Sequence, residues 1–323
     1  MEQGNQKSFN VTAYGEILWD LMPAGPVLGG APFNFAYRIK SLGNKGYIIS
    51  RVGYDDLGER ILTRMDELSM EKEFVQIDHH YPTGQVEVKV DKGGNPDFNI
   101  VPEMAYDYIE YDEKQSELMR DADCFCFGTL IQRNEQSAGV LKRLMSEFGG
   151  EHSVLDINLR KNCYNDASIV YSIEACNILK LNEDEISEVS RVYSIQADSI
   201  PGFAESLMKN SGIEYIVVTL GDKGALVFSR EEEPVYVPAY TVDVIDSCGS
   251  GDAFTAAFID RILRGRNTAE ACLYGSALGA MVAAKSGATD PVSPEELRDF
   301  IRRRKPDRID ERFKKLMLSS YDF

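Results

Sequence analysis

The 323-residue sequence is poor in the residues that bind transition metals or staple small folds. Its only histidines are His79, His80 and His152, and its six cysteines contain no CxxC pair. A zinc centre and a disulfide framework are therefore both excluded as organising features. Cys124 and Cys126 lie two apart in an apolar run and should share one face of a buried strand as reduced thiols. Positive charge is also scarce, with 35 Lys and Arg against 52 Asp and Glu, a net −17. No run of five basic residues exists and the densest cluster is residues 302–305, so a general affinity for nucleic acid or an anionic membrane surface is excluded. No stretch approaches the roughly 20 apolar residues that a bilayer span needs. The first ten residues lack the basic-then-apolar pattern of a secretory signal, and the chain is expected to be soluble and cytoplasmic. Disorder is excluded by 43% hydrophobic residues, enough for a large core.

What is present reads as alternating strands and helices. Residues 9–18 predict a first strand ending at Trp19-Asp20. Leu28-Gly29-Gly30-Ala31-Pro32 then predicts a glycine-rich turn into a helix over residues 33–42, stopped by Gly43. Residues 45–51 and 57–68 give the next strand and helix. From Thr83 the period becomes two, with Val86, Val88 and Val90 alternating with Glu87 and Lys89, the pattern of a strand buried on one face. With a turn at residues 92–96 and a return strand at 98–101, this makes a small appended sheet. Continuous apolar strands at 124–127, 154–157, 178–181 and 215–219 alternate with helices such as 135–148 and 203–209. That order predicts an α/β fold with a parallel sheet covered on both faces. Three helices, 252–263, 268–285 and 294–303, end the chain. Tyr106, Tyr108 and Tyr111 read as packing aromatics. Ligands of such a sheet sit beyond the carboxyl ends of its strands.

The strongest local feature is Asp246-Ser247-Cys248-Gly249-Ser250-Gly251-Asp252, followed at once by an apolar helix. The small residues Gly249, Ser250 and Gly251 put free amides at the positive end of that helix, suited to an anion or to an oxyanion in a transition state. Asp252 stands beside them. The amides can stabilise a transferring phosphoryl group while the carboxylate takes the proton of an attacking hydroxyl. The turn is neither a Walker A loop nor a dinucleotide-binding fingerprint, and the sequence Tyr14-Gly15-Glu16-Ile17-Leu18 has no GxGxxG that would support a dehydrogenase.

The sequence resembles the ribokinase-like (PfkB-type) carbohydrate kinases, and among them looks most like the fructokinase branch. Two signatures carry the likeness: Gly29-Gly30-Ala31-Pro32 with Asn34, Ala36, Gly43 and Gly53, and the 246–252 turn with Ala256 and Ala257. Between them Asp156-Ile157-Asn158-Leu159-Arg160, Leu181-Asn182-Glu183-Asp184-Glu185 and Thr219-Leu220-Gly221-Asp222-Lys223-Gly224 fall in the family's order. The resemblance implies a single kinase domain over residues 1–323. Its fold would be a three-layer α/β/α sandwich with a central, mainly parallel sheet and a small β lid from about residues 12–30 and 81–105. It implies Asp252 as catalytic base and the amides of Gly249, Ser250 and Gly251 as anion hole. It further implies Asp20, Gly29, Gly30, Asn34, Asn158 and Arg160 as sugar contacts, with Asn182, Thr219, Gly221, Gly224 and Ser276 at the nucleotide. Asn182 and Glu185 would hold magnesium through waters around the phosphates of ATP. Asp246 and Ala288 mark the region where many members bind potassium.

Family members often carry Thr-Thr or Thr-Gly after the first Asp and Ala between the glycines, where this sequence has Ser247-Cys248 and Ser250. Cys248 has no side-chain oxygen, which puts cation dependence in question. The expected substrates are ATP and fructose, resting on residues 82–91, 104–109, 127–133 and the DINLR segment. A 2-keto-3-deoxygluconate kinase shares the Asp-x-Asn-x-Arg pattern and stays open. So does a catalytically silent sugar or nucleotide sensor, although a sensor has no need of a positioned base. A homodimer through the lid is expected, because a small open sheet leaves edges to cover.

Overall fold

Local pattern and observed structure agree through most of the chain in the computed structural model, which describes residues 7–22, 25–90 and 96–317. The first departure is at Gly15. Strand β1 (Asn10–Tyr14) ends there because Pro32 lies 2.6 Å from where a Gly15 Cβ would be. The single strand expected over residues 9–18 is therefore two. The chain turns away and joins a different sheet as β2 (Leu18–Met22), paired antiparallel with β3 (Gly25–Gly29). Helix α1 (Ala31–Ser41) follows, with Pro32 in its first turn where no intrahelical donor is lost.

Strand β4 (Lys45–Gly53), helix α2 (Asp56–Glu67) and strand β5 (Val75–Asp78) complete one edge of the central sheet. The chain then returns to the small sheet as β6 (Gly84–Val90) and β7 (Pro96–Ile100). Helix α3 (Glu113–Arg120), β8 (Cys124–Phe127), α4 (Glu135–Glu147) and β9 (His152–Asp156) come next. They are followed by α5 (Asp166–Ala175), β10 (Ile178–Asn182), α6 (Ile186–Tyr193), α7 (Ile200–Lys209) and β11 (Tyr215–Thr219). Strands β12 (Ala225–Ser229) and β13 (Val235–Val237) precede the closing helices α8 (Ser250–Leu263), α9 (Thr268–Ala283) and α10 (Pro294–Arg303).

The nine-stranded sheet has the order β13-β12-β11-β10-β9-β8-β1-β4-β5. It is parallel from β11 to β5 and antiparallel only at β12 and β13. Side chains alternate between two cores, as the strand period requires. Cys124 and Cys126 face the layer of α1, α8 and α9, and Phe125 and Phe127 face the layer of α4, α5 and α7. Both cysteines are buried free thiols. Tyr106 is buried in the second core, where its hydroxyl accepts from Arg133 at 2.8 Å, and Tyr108 stacks on Tyr81. These contacts match the packing role expected of the aromatics.

The small sheet has the order β3-β2-β6-β7, with β2 and β6 parallel. Residues 12–14 belong to β1 of the central sheet and not to this one. The turn expected at residues 92–96 lies, apart from Pro96, outside the described residues, as do the side chains of Val88 and Val90. The start of β6 is tied down by Thr83, whose hydroxyl donates to Asp55 at 2.6 Å and accepts from the Gly53 amide at 2.9 Å. Among the described residues no helix is long and apolar enough to cross a membrane.

Candidate active site

The first glycine signature is dictated by close approach. Asp20 on β2 pairs with Val27 in the middle of β3, and its Oδ2 would stand 2.7 Å from a Cβ at position 29. Gly30, at φ 111, would place a Cβ 2.4 Å from the Glu16 carbonyl. Any side chain at either position would collide with the crossing backbone or displace Asp20. One turn into α1, buried Asn34 donates Nδ2 to Asp252 Oδ2 at 2.8 Å, joining the two signatures across 218 residues of sequence. Its Oδ1 is buried with no hydrogen-bond partner among the described residues.

Asp252 occupies the first turn of α8. Burial and the charge of Asp156 push its carboxyl up to about 6, against the opposing pull of Asn34, Lys180 and Arg160. Asp20 is likewise raised to about 6 by burial, with Arg160 acting to lower it. Arg160 itself is exposed, just beyond β9, and Asn158 adopts φ 42 two residues earlier. Asn158 lines a small cavity with Glu16, Thr129 and Asp156. Asp20, Gly29, Gly30, Asn34, Asn158, Arg160 and Asp252 are thus gathered at the carboxyl ends of β1, β8 and β9, between the central and small sheets.

The turn before α8 supplies fewer free donors than the sequence suggests. Gly249 is the N-cap at φ 75. The Ser250 amide donates to the Ser247 carbonyl at 3.2 Å, closing the turn on itself. The expected third donor is therefore committed. Among the described residues the amides of Gly249 and Gly251 have no acceptor.

The neighbouring strand ends hold the second group. Asn182 and Glu185 cap each other: the Asn182 amide donates to Glu185 Oε2 at 2.8 Å, and the Glu185 amide donates to Asn182 Oδ1 at 3.0 Å. The other carboxylate oxygen accepts from the Leu159 amide at 2.8 Å, which ties this motif to the Asp-x-Asn-x-Arg segment. Each of these oxygens keeps a lone pair, so the pair fits a cation held through water and does not form a direct cage. Thr219 ends β11, Gly221 takes φ 59, and Gly224 at φ 103 would place a Cβ 2.1 Å from the Val237 carbonyl. Ser276 lies on α9 one turn before Gly279, the residue that packs on the Ser250 carbonyl. Among the described residues no contact places Ser276 with either group.

Asp246 and Ala288 have their oxygens engaged within the chain. Asp246 accepts from the amides of Cys248 at 2.9 Å and Gly287 at 3.2 Å, and the Ala288 carbonyl accepts from Arg38 Nη2 at 2.5 Å. Among the described residues no group of three or more His, Cys, Asp or Glu side chains is arranged to hold a metal.

Four residues in this region escaped the sequence reading of the site. Glu16 is buried, accepts from the Ala31 amide at 3.2 Å, and is pushed by burial up to about 7. Lys180 donates to both oxygens of Asp156 at 3.0 Å, and Thr255 adds a third bond to Asp156 at 3.1 Å. Arg38 is fully buried. Lys180 and Arg38 carried a signal, each being a lone cation inside an apolar strand or helix face.

A family profile described as "pfkB family carbohydrate kinase" matches residues 25–296. Fructokinase-1 of Oryza sativa subsp. japonica is 26% identical over 314 residues, covering 89% of this chain and 95% of that one. A 2-dehydro-3-deoxygalactonokinase of Haloferax volcanii is 26% identical over 285 residues, covering 84% and 87%. Among solved structures, a fructokinase of Xylella fastidiosa with bound ATP superposes with a TM-score of 0.80 at 17% identity, covering 91% of this chain and 98% of that one.

Proposed function

The chain belongs to the pfkB family of carbohydrate kinases, and from that premise we propose that it transfers the γ-phosphoryl group of ATP to the 6-hydroxyl of D-fructose. The observation that carries this reading is the Asn34–Asp252 hydrogen bond of 2.8 Å, which sets a half-buried carboxylate beside the free amides of Gly249 and Gly251. Asp252 takes the proton of the 6-hydroxyl as its oxygen attacks the γ-phosphorus, and ADP leaves. The charge developing on the phosphoryl oxygens is met by the two amides and the N-terminus of α8. Asp20 and Asn158 orient the sugar. Asn182 and Glu185 would hold magnesium through its waters, and that ion would neutralise phosphate charge when bound. The loop containing Thr219, Gly221 and Gly224 lies beside them for the nucleotide.

The small sheet stands over this cleft as a lid. Its closure would exclude water and limit wasteful hydrolysis of ATP. Among the described residues its edge strands β3 and β7 each have one unpaired side, which supports a homodimer through the lid. Sedimentation equilibrium should give about twice the 36.2 kDa chain mass, and a strictly monomeric profile would remove that part of the reading.

A 2-keto-3-deoxy sugar acid is the second reading, favoured by one observation. Exposed Arg160 pairs with no carboxylate among the described residues, so its guanidinium is free for a substrate carboxylate. A panel of fructose, ribose, 2-keto-3-deoxygluconate, fructose 1-phosphate and adenosine, followed by ADP release, separates the two. We expect the highest kcat/KM with fructose. Greater turnover of the sugar acid would move the assignment to the second reading, and turnover of none would argue for a sensor.

A further inference from the structure

We infer that Arg38 is a built-in cation at the loop after α9, and that it makes this chain independent of potassium. Arg38 is 0% exposed and heads the fully buried side chains by volume among the described residues. A guanidinium out of water ordinarily needs a carboxylate beside it. Arg38 forms no ion pair among the described residues. Its hydrogen bonds go to main-chain carbonyls, with Nη1 donating to Asp290 at 2.7 Å and Nη2 to Ala288 at 2.5 Å, and the charges of Asp290 and Asp252 act on it without an ion pair. Rings of carbonyl oxygens are how proteins replace the hydration shell of a monovalent ion. Here an arginine takes that coordination from within α1.

The same loop is where the resemblance places potassium, and the donors do not fit an ion. The Asp246 oxygens each accept one backbone amide and keep a lone pair, but the Ala288 carbonyl faces the Arg38 guanidinium, whose positive charge would repel an ion there. The position matters for the reaction because Ala288 packs on the anion-hole turn. A Cβ at Gly249 would stand 2.3 Å from the Ala288 Cβ, so the two residues touch. Asn34, one helical turn before Arg38, holds Asp252. One face of α1 thereby fixes the base through Asn34 and the turn through Arg38 and Ala288. Arg38 is a positioning residue.

The inference rests on the kinase reading for its rate measurements but not for its binding measurement. Wild-type kcat should agree within about twofold between equal concentrations of KCl and tetramethylammonium chloride, with ATP, magnesium and the best sugar of the panel. The Tm in the two salts should agree within about 1 °C, because a site without affinity contributes no linkage. Potassium stimulation of about tenfold, or a potassium-specific rise in Tm, would overturn the inference. Arg38→Met should lower kcat about 100-fold by letting the turn shift, and Arg38→Lys should restore part of it. Unchanged kcat in a folded Arg38→Met protein would also overturn it. If Arg38→Met does not fold, Arg38→Lys and the wild-type salt comparison decide. If no sugar is phosphorylated, the proposed function fails while the Tm comparison still judges Arg38.

Discussion

Asp252→Asn lowers kcat about 1,000-fold, within the range for removing a general base, and at pH 8 it raises Tm. The two effects share one cause. Asp252 is half-buried, and its desolvation together with the charge of Asp156 lifts its carboxyl to about 6 from an ordinary 3.8. Above pH 6 the carboxylate is ionised in a place that disfavours charge. That shift of about two units corresponds to roughly 3 kcal/mol held against the folded state. Asparagine has the same shape, can still accept from Asn34 Nδ2, and carries no charge. The pH dependence has a definite sign. The folded carboxyl binds its proton more tightly than the unfolded one. The penalty is therefore fully present above pH 6, shrinks as pH falls through 6, and is gone below about 4, and so is the Tm advantage of the variant. Activity moves the other way: wild-type kcat/KM should fall about tenfold per pH unit below 6, as the base is protonated. A chromogenic ADP assay and thermal melts across pH 5–8 measure both. Retention of more than a tenth of wild-type kcat in the variant would remove Asp252 from its role.

Most of the architecture was legible because strand and helix periods differ sharply in this chain. The runs at 124–127 and 215–219 match strands β8 and β11 to the residue. The division of residues 9–18 between two sheets was not legible. Every residue from Val11 to Leu18 is buried, so no change of polarity marks the exit, and the cause is Pro32 packing on Gly15 from 17 residues away. The antiparallel hairpin of β12 and β13 was also unmarked, since its apolar run resembles that of the parallel strands. In the site, motif order nominated residues but not their bonds. That Ser250 spends its amide on Ser247 depends on turn geometry that composition does not encode, whereas the capping-box spacing of Asn182 and Glu185 already permitted the mutual caps. Lys180 and Arg38 were visible only as charges in apolar surroundings, and their partners come from elements distant in sequence.

Gly249→Ala should lower kcat by 100- to 1,000-fold, about the effect of losing an oxyanion-hole donor, with a much smaller change in KM for the sugar. Two independent obstacles meet at this position. Gly249 sits at φ 75, where an L-residue costs roughly 1–2 kcal/mol. Its Cβ would lie 2.3 Å from the Ala288 Cβ and 2.9 Å from its Cα. Ala288 cannot yield easily, because its carbonyl is fastened by buried Arg38. The turn must move instead, and the Gly249 and Gly251 amides move with it. The proposed sugar contacts Asp20 and Asn158 lie on other elements and stay in place, which is why binding should survive where catalysis does not. Two neighbouring substitutions calibrate the effect. Gly251→Ala meets only Lys180 Nζ at 3.3 Å, the far end of a long side chain that Asp156 holds but no backbone blocks, and should cost less. Ser250→Ala removes a hydroxyl and leaves the amide bonded to Ser247, so its kcat should stay within about threefold of wild type. Steady-state kinetics on the three variants, with circular dichroism to confirm folding, tests the ordering. If Gly249→Ala were no slower than Gly251→Ala, transition-state stabilisation would have to come from groups other than this turn.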